Sequence, residues 1–459
     1  SRRAALQRQL LPVMLGWFAD EADPDAGLLA FRRISDQLGS TSWYLRLLRD
    51  EGSAAELLAH TLARSRYAAN LLEQAPESVQ FLGDPRGLTP QSRESILRRM
   101  RAAAGRREGA AEAIAEERGI GLTGLFRIEV ADVSGRADLA QVGAALTDVT
   151  SALIEVALEQ VTAGVVARSG GEQRTSLLVV GMGRLGGGEQ SYGSDADIIV
   201  VHDPRPGADP GAAQEQALEI VKEFLRLLGQ RGPDPDIELD LDLRPEGKNG
   251  GLVRSLASYA EYYQRWAQAW EFHALVRATP VAGDPDLAER FVALIDPLRW
   301  REDGLSASQL RDIRTLKARM EAERLPRGAD RKTHIKLGHG GLSDIEWVVQ
   351  LTQLQHAHTH PGLRTTSTLD ALDAAIEAGL VDPEPGTDLR RAWELASRIR
   401  NAGVLYRARN IDSVPSDARD ADGVARILGL PAGSGAVLTD TYRRYARRAR
   451  AAHEALFYD

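Results

Sequence analysis

The chain has 459 residues, of which 43% are hydrophobic, 27% charged and 5% aromatic, as in an ordinary globular protein with more than one domain. It contains no cysteine, which excludes disulfides and cysteine-bound zinc and favours a cytoplasmic protein. The formal net charge of -8 argues against a nucleic-acid partner, and no apolar run reaches the roughly 20 residues that would predict a membrane span. Because the sequence starts with Ser1 and not with methionine, we expect a fragment of a longer protein.

The first part of the chain, residues 1–165, predicts a helical region. Apolar residues recur there at spacings of three and four, which is the period of an amphipathic helix. The clearest series is Val142, Leu146, Val149, Leu153 and Val156.

A compact α/β domain is predicted over residues 166–285. Apolar runs at 176–180 and 198–201 predict two strands on either side of a glycine-rich turn, and an amphipathic helix over 212–228 and a strand over 237–243 follow. Residues 286–459 predict a C-terminal helical bundle, with helices at 308–324, 342–356, 367–379, 386–409 and 435–456 and a connecting turn at 383–386. The fold class is therefore α+β and mostly helical, with a small α/β core between two helical bundles.

The glycine-rich turn, residues 181–188, is suited to binding phosphate, because glycines let the backbone approach a ligand and expose its N–H groups. Gly181, Gly183 and Gly186 also match the dinucleotide-binding fingerprint. That fingerprint requires a helix of about three turns before the next strand, and the glycine-rich segment 187–197 is too short to form one.

Two aspartates, Asp195 and Asp197, stand at the entrance to the second strand. Residues two apart on a strand project to the same face, so these carboxylates repel each other unless a cation lies between them. Mg²⁺ would relieve the repulsion, because it prefers carboxylate oxygens and keeps positions open for phosphates. The alternative is a loop whose aspartates are only solvated.

Acidic residues also alternate with apolar ones over 237–243. Ile237, Leu239 and Leu241 would share one face of a strand, whereas Asp240 and Asp242 would share the other with Arg244. Such a row of charges is costly unless a cation or phosphate lies on that face. The alternative is an exposed strand with its polar side in water, although aspartate is depleted in strands.

Together, the glycine-rich turn, the paired aspartates and a third aspartate on a later strand resemble the polymerase-β-like nucleotidyltransferase fold. Within that superfamily the sequence is similar to the glutamine synthetase adenylyltransferase family over nearly its whole length. The motifs that carry this resemblance are 181–187 with Glu189, Tyr192 and Ser194–Asp197; Leu243–Gly247; Trp270–Glu271; Ala274–Leu275; Arg277–Ala278; Lys336–Gly338; Gly340–Leu342; and Asp344–Glu346.

The resemblance implies the roles of the candidate residues. Catalysis and the binding of two Mg²⁺ ions would fall to Asp195, Asp197 and Asp240, with Asp242 secondary. Contacts to the substrate ATP would come from Gly183, Arg184, Gly186, Ser194, Arg244 and Lys336.

Some assignments stay open. Arg244 either contacts the nucleotide or pairs with the neighbouring acids. The segment around Lys336 is either a second glycine-rich loop that faces the nucleotide or a turn that caps the helix opened by Asp344. Arg184 replaces a lysine and His334 an aspartate of many family members. The basic residues of helix 308–324 are expected on a solvated face and not in a protein-docking patch; they are Arg311, Arg314, Lys317 and Arg319.

In this family the full enzyme has two related halves. One adds AMP from ATP to a tyrosine of glutamine synthetase, and the other removes it by phosphorolysis. The single predicted core and the arginine-rich last helix indicate the C-terminal, adenylylating half. A PII-type signalling protein and glutamine would regulate it. The alternatives are the removing half, a nucleotidyltransferase with another acceptor, and a catalytically silent nucleotide sensor.

Overall fold

The computed structural model describes residues 12–50, 52–107, 109–230 and 237–458, which fold into a mostly helical α+β structure with one small mixed sheet. The helices before the sheet are α1 (12–19), α2 (Pro24–Leu38), α3 (Ser42–Asp50), α4 (Gly52–Arg64), α5 (Arg66–Gln74), α6 (Arg93–Ala104), α7 (Ala110–Val133) and α8 (Leu139–Arg168). Short 3₁₀ helices cover Pro76–Gly83, Pro85–Leu88, Gly247–Asn249 and Pro361–Leu363.

The sheet and its connections follow. In chain order they are β1 (Thr175–Gly181), α9 (Gly183–Gly186), β2 (Ala196–Pro204), α10 (Pro210–Leu228), β3 (Leu239–Asp240), β4 (Arg254–Ser255), α11 (Leu256–Arg265), α12 (Ala269–Leu275) and β5 (Thr279–Gly283). The remaining helices are α13 (Pro285–Arg299), α14 (Ala307–Glu323), α15 (Leu342–His356), α16 (Thr368–Glu377), α17 (Pro383–Arg407), α18 (Ala418–Ile427) and α19 (Gly435–Phe457).

The strand order is β3-β2-β1-β5, and β4 pairs with the same strand edge of β2 that β3 uses. β1 is antiparallel to β2 and β5, whereas β3 and β4 run parallel to β2. In the β1–β2 register Gly181 lies opposite Ile198. The end of β1 and the start of β2 therefore meet, which brings the glycine-rich turn beside Asp197.

Both faces of the sheet are buried. Along β1, Leu177 and Val179 join a hydrophobic cluster with the N-terminal helices and α10, whereas Leu178 and Val180 join a second cluster with α11–α13 and the C-terminal helices. Side chains alternate across a strand, so the apolar runs of β1 and β2 supply both clusters. The sheet is thus a shared wall between the two helical regions.

Helix α8 corrects the expectation that no segment is long and apolar enough for a membrane span. Among the described residues this one helix passes that test by length and composition, with a mean hydropathy of 1.4 in its best window. More than half of that window is buried inside the protein, and α8 packs on α6, α7 and α10. A core helix accounts for the hydropathy equally well.

The predicted helices agree closely with the structure, and α15 has the predicted bounds, 342–356. Two predictions were wrong. The strand expected over 237–243 is limited to β3, because β2 pairs with it only through Ala196 and Asp197. The turn expected at 383–386 is the first turn of α17, where proline is tolerated because the first helical N–H groups have no intrahelical partner.

A buried carboxyl group lies in α7. Glu117 is fully buried, and neither of its oxygens has a hydrogen-bond partner among the residues that the structure describes. Burial, with a smaller contribution from Glu159, raises the pKa of Glu117 to about 8. The side chain is therefore neutral near pH 7.

We expect Glu117→Gln to become progressively more stable than the parent as the pH rises. In the unfolded chain the pKa of the carboxyl is about 4.3, so between that pH and about 8 only the folded state keeps the proton, and the free energy of unfolding falls as the pH rises. The amide has no proton to lose. Urea unfolding from pH 5 to 8 measures the difference, with the exposed Glu112→Gln on the same helix as control. A stability difference that does not change with pH would contradict the assigned protonation.

Candidate functional site

Two of the three predicted carboxylates lie on adjacent strands. Asp197 of β2 lies directly opposite Asp240 of β3 in the parallel register, and Asp195 is exposed in the turn just before β2. A backbone hydrogen bond joins the glycine-rich turn to the start of β2: the N–H of Met182 donates to the carbonyl of Asp197 at 2.8 Å. Burial raises the pKa of Asp197 to about 6, with further contributions from the carboxylates of Asp240 and Asp195 and an opposing one from Lys336.

The donor set fits Mg²⁺, which prefers carboxylate oxygens. Asp195, Asp197 and Asp240 do not all approach within 4.8 Å of one another. One oxygen of Asp240, Oδ1, accepts a hydrogen bond of 2.6 Å from the N–H of Asp242. Asp242 pairs through its own carboxylate with Lys248 at 3.2 Å, outside this group.

At two positions of the glycine-rich turn, Gly183 and Gly186, the packing is so close that a side chain would not fit. Gly183 has a φ of +50°, and a Cβ there would lie 2.3 Å from Oδ2 of Asp197. A Cβ on Gly186 would lie 1.8 Å from the carbonyl oxygen of Arg277. The turn therefore rests directly on the carboxylate of Asp197. Glycine is required at both positions by contact, and at Gly183 also by conformation.

A buried ion pair holds the turn. The side chain of Arg277 is 4% exposed, and its Nη2 lies 2.5 Å from Oε2 of Glu189. Its Nε donates to the carbonyl of Gly183 at 3.0 Å, and its Nη1 donates to Oγ1 of Thr368 at 2.5 Å. The backbone N–H of Thr368, the first residue of α16, donates to Oε1 of Glu189. This network ties the turn to the C-terminal helices.

Arg184 also reaches the C-terminal helices. Its guanidinium donates to the hydroxyl of Ser191 at 2.8 Å, lies 3.3 Å from Glu346 of α15 and stacks over the ring of Trp393 of α17. Although burial alone would raise it, Arg184 and Arg277 hold the pKa of Glu346 below its usual value. The predicted contact of Arg184 with phosphate stays a prediction.

Ser194 closes its own turn, because its hydroxyl accepts from the N–H of Ser191 at 3.2 Å. Its predicted contact with a phosphate is likewise untested.

The segment around Lys336 combines features of a helix-capping turn and of a loop that faces the carboxylates. Gly338, Gly340 and Gly341 form a tight backbone turn, and the N–H of Gly340 donates to Oδ2 of Asp344 at 2.7 Å, which caps the start of α15. The exposed Lys336 nevertheless lies close enough to Asp197 to lower the pKa of that carboxyl. The turn is thus tied to the first turn of α15 and carries one cation that acts on the carboxylate of Asp197.

Arg244 does not pair with the acids beside it. It is 8% exposed, and its guanidinium donates to three backbone carbonyls of its own loop, those of Leu241, Lys248 and Gly250, at 2.8–3.1 Å. The expected alternation fails at this point, because Leu241 belongs to the first hydrophobic cluster and Leu243 packs on the second. Arg244 shapes the loop after β3, and its contact with a nucleotide stays a prediction.

A second acidic group lies away from the turn. Glu321, Asp344 and His453 place one ligand atom each within 4.8 Å of one another. Lys317, however, lies 2.6 Å from Asp344, and Arg450 lies 3.0 Å from the same carboxylate. Two cations already balance the two acids, so this group is a buried ion-pair network. The prediction that Lys317 lies on a solvated face was wrong. Its partner, Asp344, is distant in sequence, so the pattern of helix α14 alone did not reveal the ion pair.

Sequence reasoning missed the contacts that support the site between residues that are distant from each other in sequence. Glu189 and Arg277 were noted only as parts of motifs, and nothing in the sequence links them to Thr368 or Trp393. A buried charge has to be paired, so an arginine flanked by apolar residues, as Arg277 is, was the available signal.

We expect Gly183→Ala to weaken divalent-cation binding by about 10- to 100-fold, as changes that reorient metal ligands do, because the new methyl group displaces the carboxylate of Asp197. Gly188→Ala is the matched control, since Gly188 also has a positive φ but a Cβ there would have no atom within 4 Å. Calorimetric titration with Mn²⁺ measures both. Equal affinities in the two variants would show that the contact with Asp197 does not matter.

We expect Arg277→Met to lower the free energy of unfolding by about 3–5 kcal/mol, because it leaves the carboxylate of Glu189 buried without its cation. Arg290→Met is the control: Arg290 pairs with Asp203 but is 52% exposed, so its loss costs about 1 kcal/mol or less. Urea denaturation compares the two variants, and similar losses would contradict a supporting role for the buried pair.

Two family models match the chain. The model of glutamate-ammonia ligase adenylyltransferase matches residues 55–294, more than half of the chain, and includes the glycine-rich turn and all three aspartates. The model of GlnD PII-uridylyltransferase matches residues 314–457, which cover the C-terminal helices.

Curated relatives carry the name bifunctional glutamine synthetase adenylyltransferase/adenylyl-removing enzyme. Those of Streptomyces coelicolor, Cutibacterium acnes and Mycobacterium avium are 50%, 47% and 45% identical over 99–100% of this chain. The chain spans only 46–47% of their length. On the match to the family model and on these identities, the chain belongs to the glutamate-ammonia ligase adenylyltransferase family.

Proposed function

We propose that the chain transfers AMP from ATP to a tyrosine hydroxyl of glutamine synthetase, through a nucleotidyltransferase core built on β1, β2 and β3. The observation that carries this proposal is the pairing of Asp197 with Asp240 directly against the Gly183 turn. Membership of the family and the names of the relatives support the reaction and its protein substrate.

The proposed nucleotide site uses the turn and the cations around it. Gly183 and Gly186 let the triphosphate approach the backbone, and Arg184, Lys336 and Ser194 offer positive charge and a hydroxyl group. Asp195, Asp197 and Asp240 would hold Mg²⁺, which when bound supplies charge neutralisation for the phosphates and acidifies the attacking hydroxyl. The influence of Lys336 on Asp197 supports placing the phosphates between these two side chains.

The transfer makes one bond and breaks one. The tyrosine oxygen bonds to the α-phosphorus of ATP, the bond from that phosphorus to the oxygen bridging to the β-phosphorus breaks, and pyrophosphate departs with the bridging oxygen. The hydroxyl proton leaves the tyrosine as the new bond forms. Asp240 would assist this deprotonation through the Mg²⁺ that it would hold together with Asp195 and Asp197, and the proton would pass to water.

The direction of the reaction is part of the proposal. Each relative's name covers both addition and removal of AMP, and this chain matches less than half of each relative. We propose the adenylylating direction, with phosphorolytic removal as the alternative. We also propose that a PII-type protein regulates the chain, which the match of residues 314–457 to a PII-uridylyltransferase model supports. The cysteine-free sequence supports a cytosolic site of action.

We expect the double variant Asp195→Asn, Asp197→Asn to lose transfer by at least about 1,000-fold, because several kcal/mol of transition-state charge stabilisation depend on these ligands. The assay follows label from α-labelled ATP onto purified glutamine synthetase in the presence of Mg²⁺. Asp203→Asn is the matched control, since Asp203 lies at the other end of β2, six residues or roughly 20 Å away.

The other outcomes identify the alternatives. Phosphate-dependent release of ADP from modified synthetase, without transfer, would identify the removing half. Binding of ATP without either reaction would favour another acceptor or a silent sensor. Transfer that persists in the double variant would contradict the assignment of the aspartates.

A further inference from the structure

A groove opens beside Asp195, and no residue of the glycine-rich turn lines it. Its volume is about 240 Å³, and it lies where the N-terminal helices, the sheet and the C-terminal helices meet. We call it the Asp195 groove; its walls include Tyr67, Asn70, Asp195, Glu238, Val404 and Arg409.

The far wall of the groove is held in a fixed, strained conformation. Ala408, which follows α17, has a φ of +52°, a left-handed conformation that non-glycine residues rarely adopt. Two residues on, the side chain of Asn410 donates to the carbonyl of Gly193 at 2.8 Å, and a Cβ on Gly193 would lie 2.4 Å from Oδ1 of Asn410. Strain of this kind persists where the surroundings determine it and often marks a functional position.

The N-terminal wall is tied to the same helix. The hydroxyl of Ser65, which caps α5, donates to the carbonyl of Leu405 in α17 at 3.1 Å. Tyr67 and Asn70 are thereby presented opposite Arg409. Contacts within the protein therefore hold both walls of the groove.

The chemistry of the groove suits an aromatic side chain on a peptide. Tyr67, which is half-buried, offers apolar surface, whereas Asn70 and Arg409 offer exposed donors for peptide carbonyls. No hydrogen bond or ion pair engages the Arg409 guanidinium within the described part of the chain. At about 240 Å³ the groove is smaller than the roughly 300–1,000 Å³ of small-molecule pockets, so it has room for one side chain and not for a nucleotide.

We propose that the Asp195 groove is the acceptor subsite, which takes the tyrosyl side chain of the protein substrate and directs its hydroxyl to Asp195. The inference rests on the proposed function. Two sides of the carboxylate group are then used: Asp197 contacts the glycine-rich turn, where the nucleotide binds, and Asp195 lines the groove, where the acceptor enters. Arg409 and Asn70 would hold the peptide on either side of the tyrosine.

Two variants of exposed residues test the subsite without disturbing the core. Asn70→Trp fills the groove, and Arg409→Ala removes its free cation. We expect each to raise the KM for glutamine synthetase by about tenfold or more, the effect of losing roughly 1.4 kcal/mol of binding, with ATP affinity unchanged within about twofold. The controls are Gln74→Trp on α5 and Arg391→Ala on α17, both exposed and outside the groove.

Kinetics with varied synthetase, together with calorimetric ATP binding, separate the outcomes. If the parent is active and its KM for glutamine synthetase is unchanged in Asn70→Trp and in Arg409→Ala, the acceptor subsite is overturned and the proposed function stands. A parent that neither adds nor removes AMP would overturn the proposed function and, with it, the occupant of the groove. Removal of AMP with a raised KM for modified synthetase in both variants would support the subsite for the reverse reaction.

Discussion

The candidate site depends most on the buried ion pair between Arg277 and Glu189. Arg277 reaches the carbonyl of Gly183 and the hydroxyl of Thr368 with the same guanidinium that neutralises Glu189. A buried pair of this kind adds little net stability but enforces one arrangement, because either charge alone would be strongly unfavourable. It thereby couples the conformation of the glycine-rich turn to the packing of α16 on the sheet.

The sheet determines which parts of the chain this ion pair connects. Its two faces belong to different hydrophobic clusters, so the N-terminal and C-terminal helices pack on opposite sides of the same few strands. Arg184, Arg277 and Asn410 then bridge from the turns at one end of the sheet to helices of the C-terminal region. These contacts tie the packing of the C-terminal helices to the position of the glycine-rich turn.

The second feature that organises the site is the close approach of like charges, which the residues around them do not fully balance. Burial and the neighbouring carboxylates raise the pKa of Asp197 to about 6, whereas Lys336 opposes this shift from the loop before α15. In the proposed function, a cation would offset the carboxylates and the phosphates of ATP would offset Lys336. The second acidic group, around Asp344, shows the contrast: Lys317 and Arg450 balance it internally, so it needs no ligand.

The sequence by itself determined most of the local structure and the family, and it indicated where the candidate site lies. The hydrophobic periodicity located the helices, and for α15 it gave both end residues correctly. The glycine-rich turn and the aspartates indicated the candidate site. Both kinds of signal depend only on residues that are neighbours in the chain. Tertiary structure decided the rest. β3 is two residues long because only Ala196 and Asp197 pair with it. Arg244 lies beyond the end of this strand, and its side chain bonds the backbone of its own loop. The partners of Lys317 and Arg277, and the groove between Asn70 and Arg409, join residues that are far apart in the chain, and no local pattern encodes such pairs.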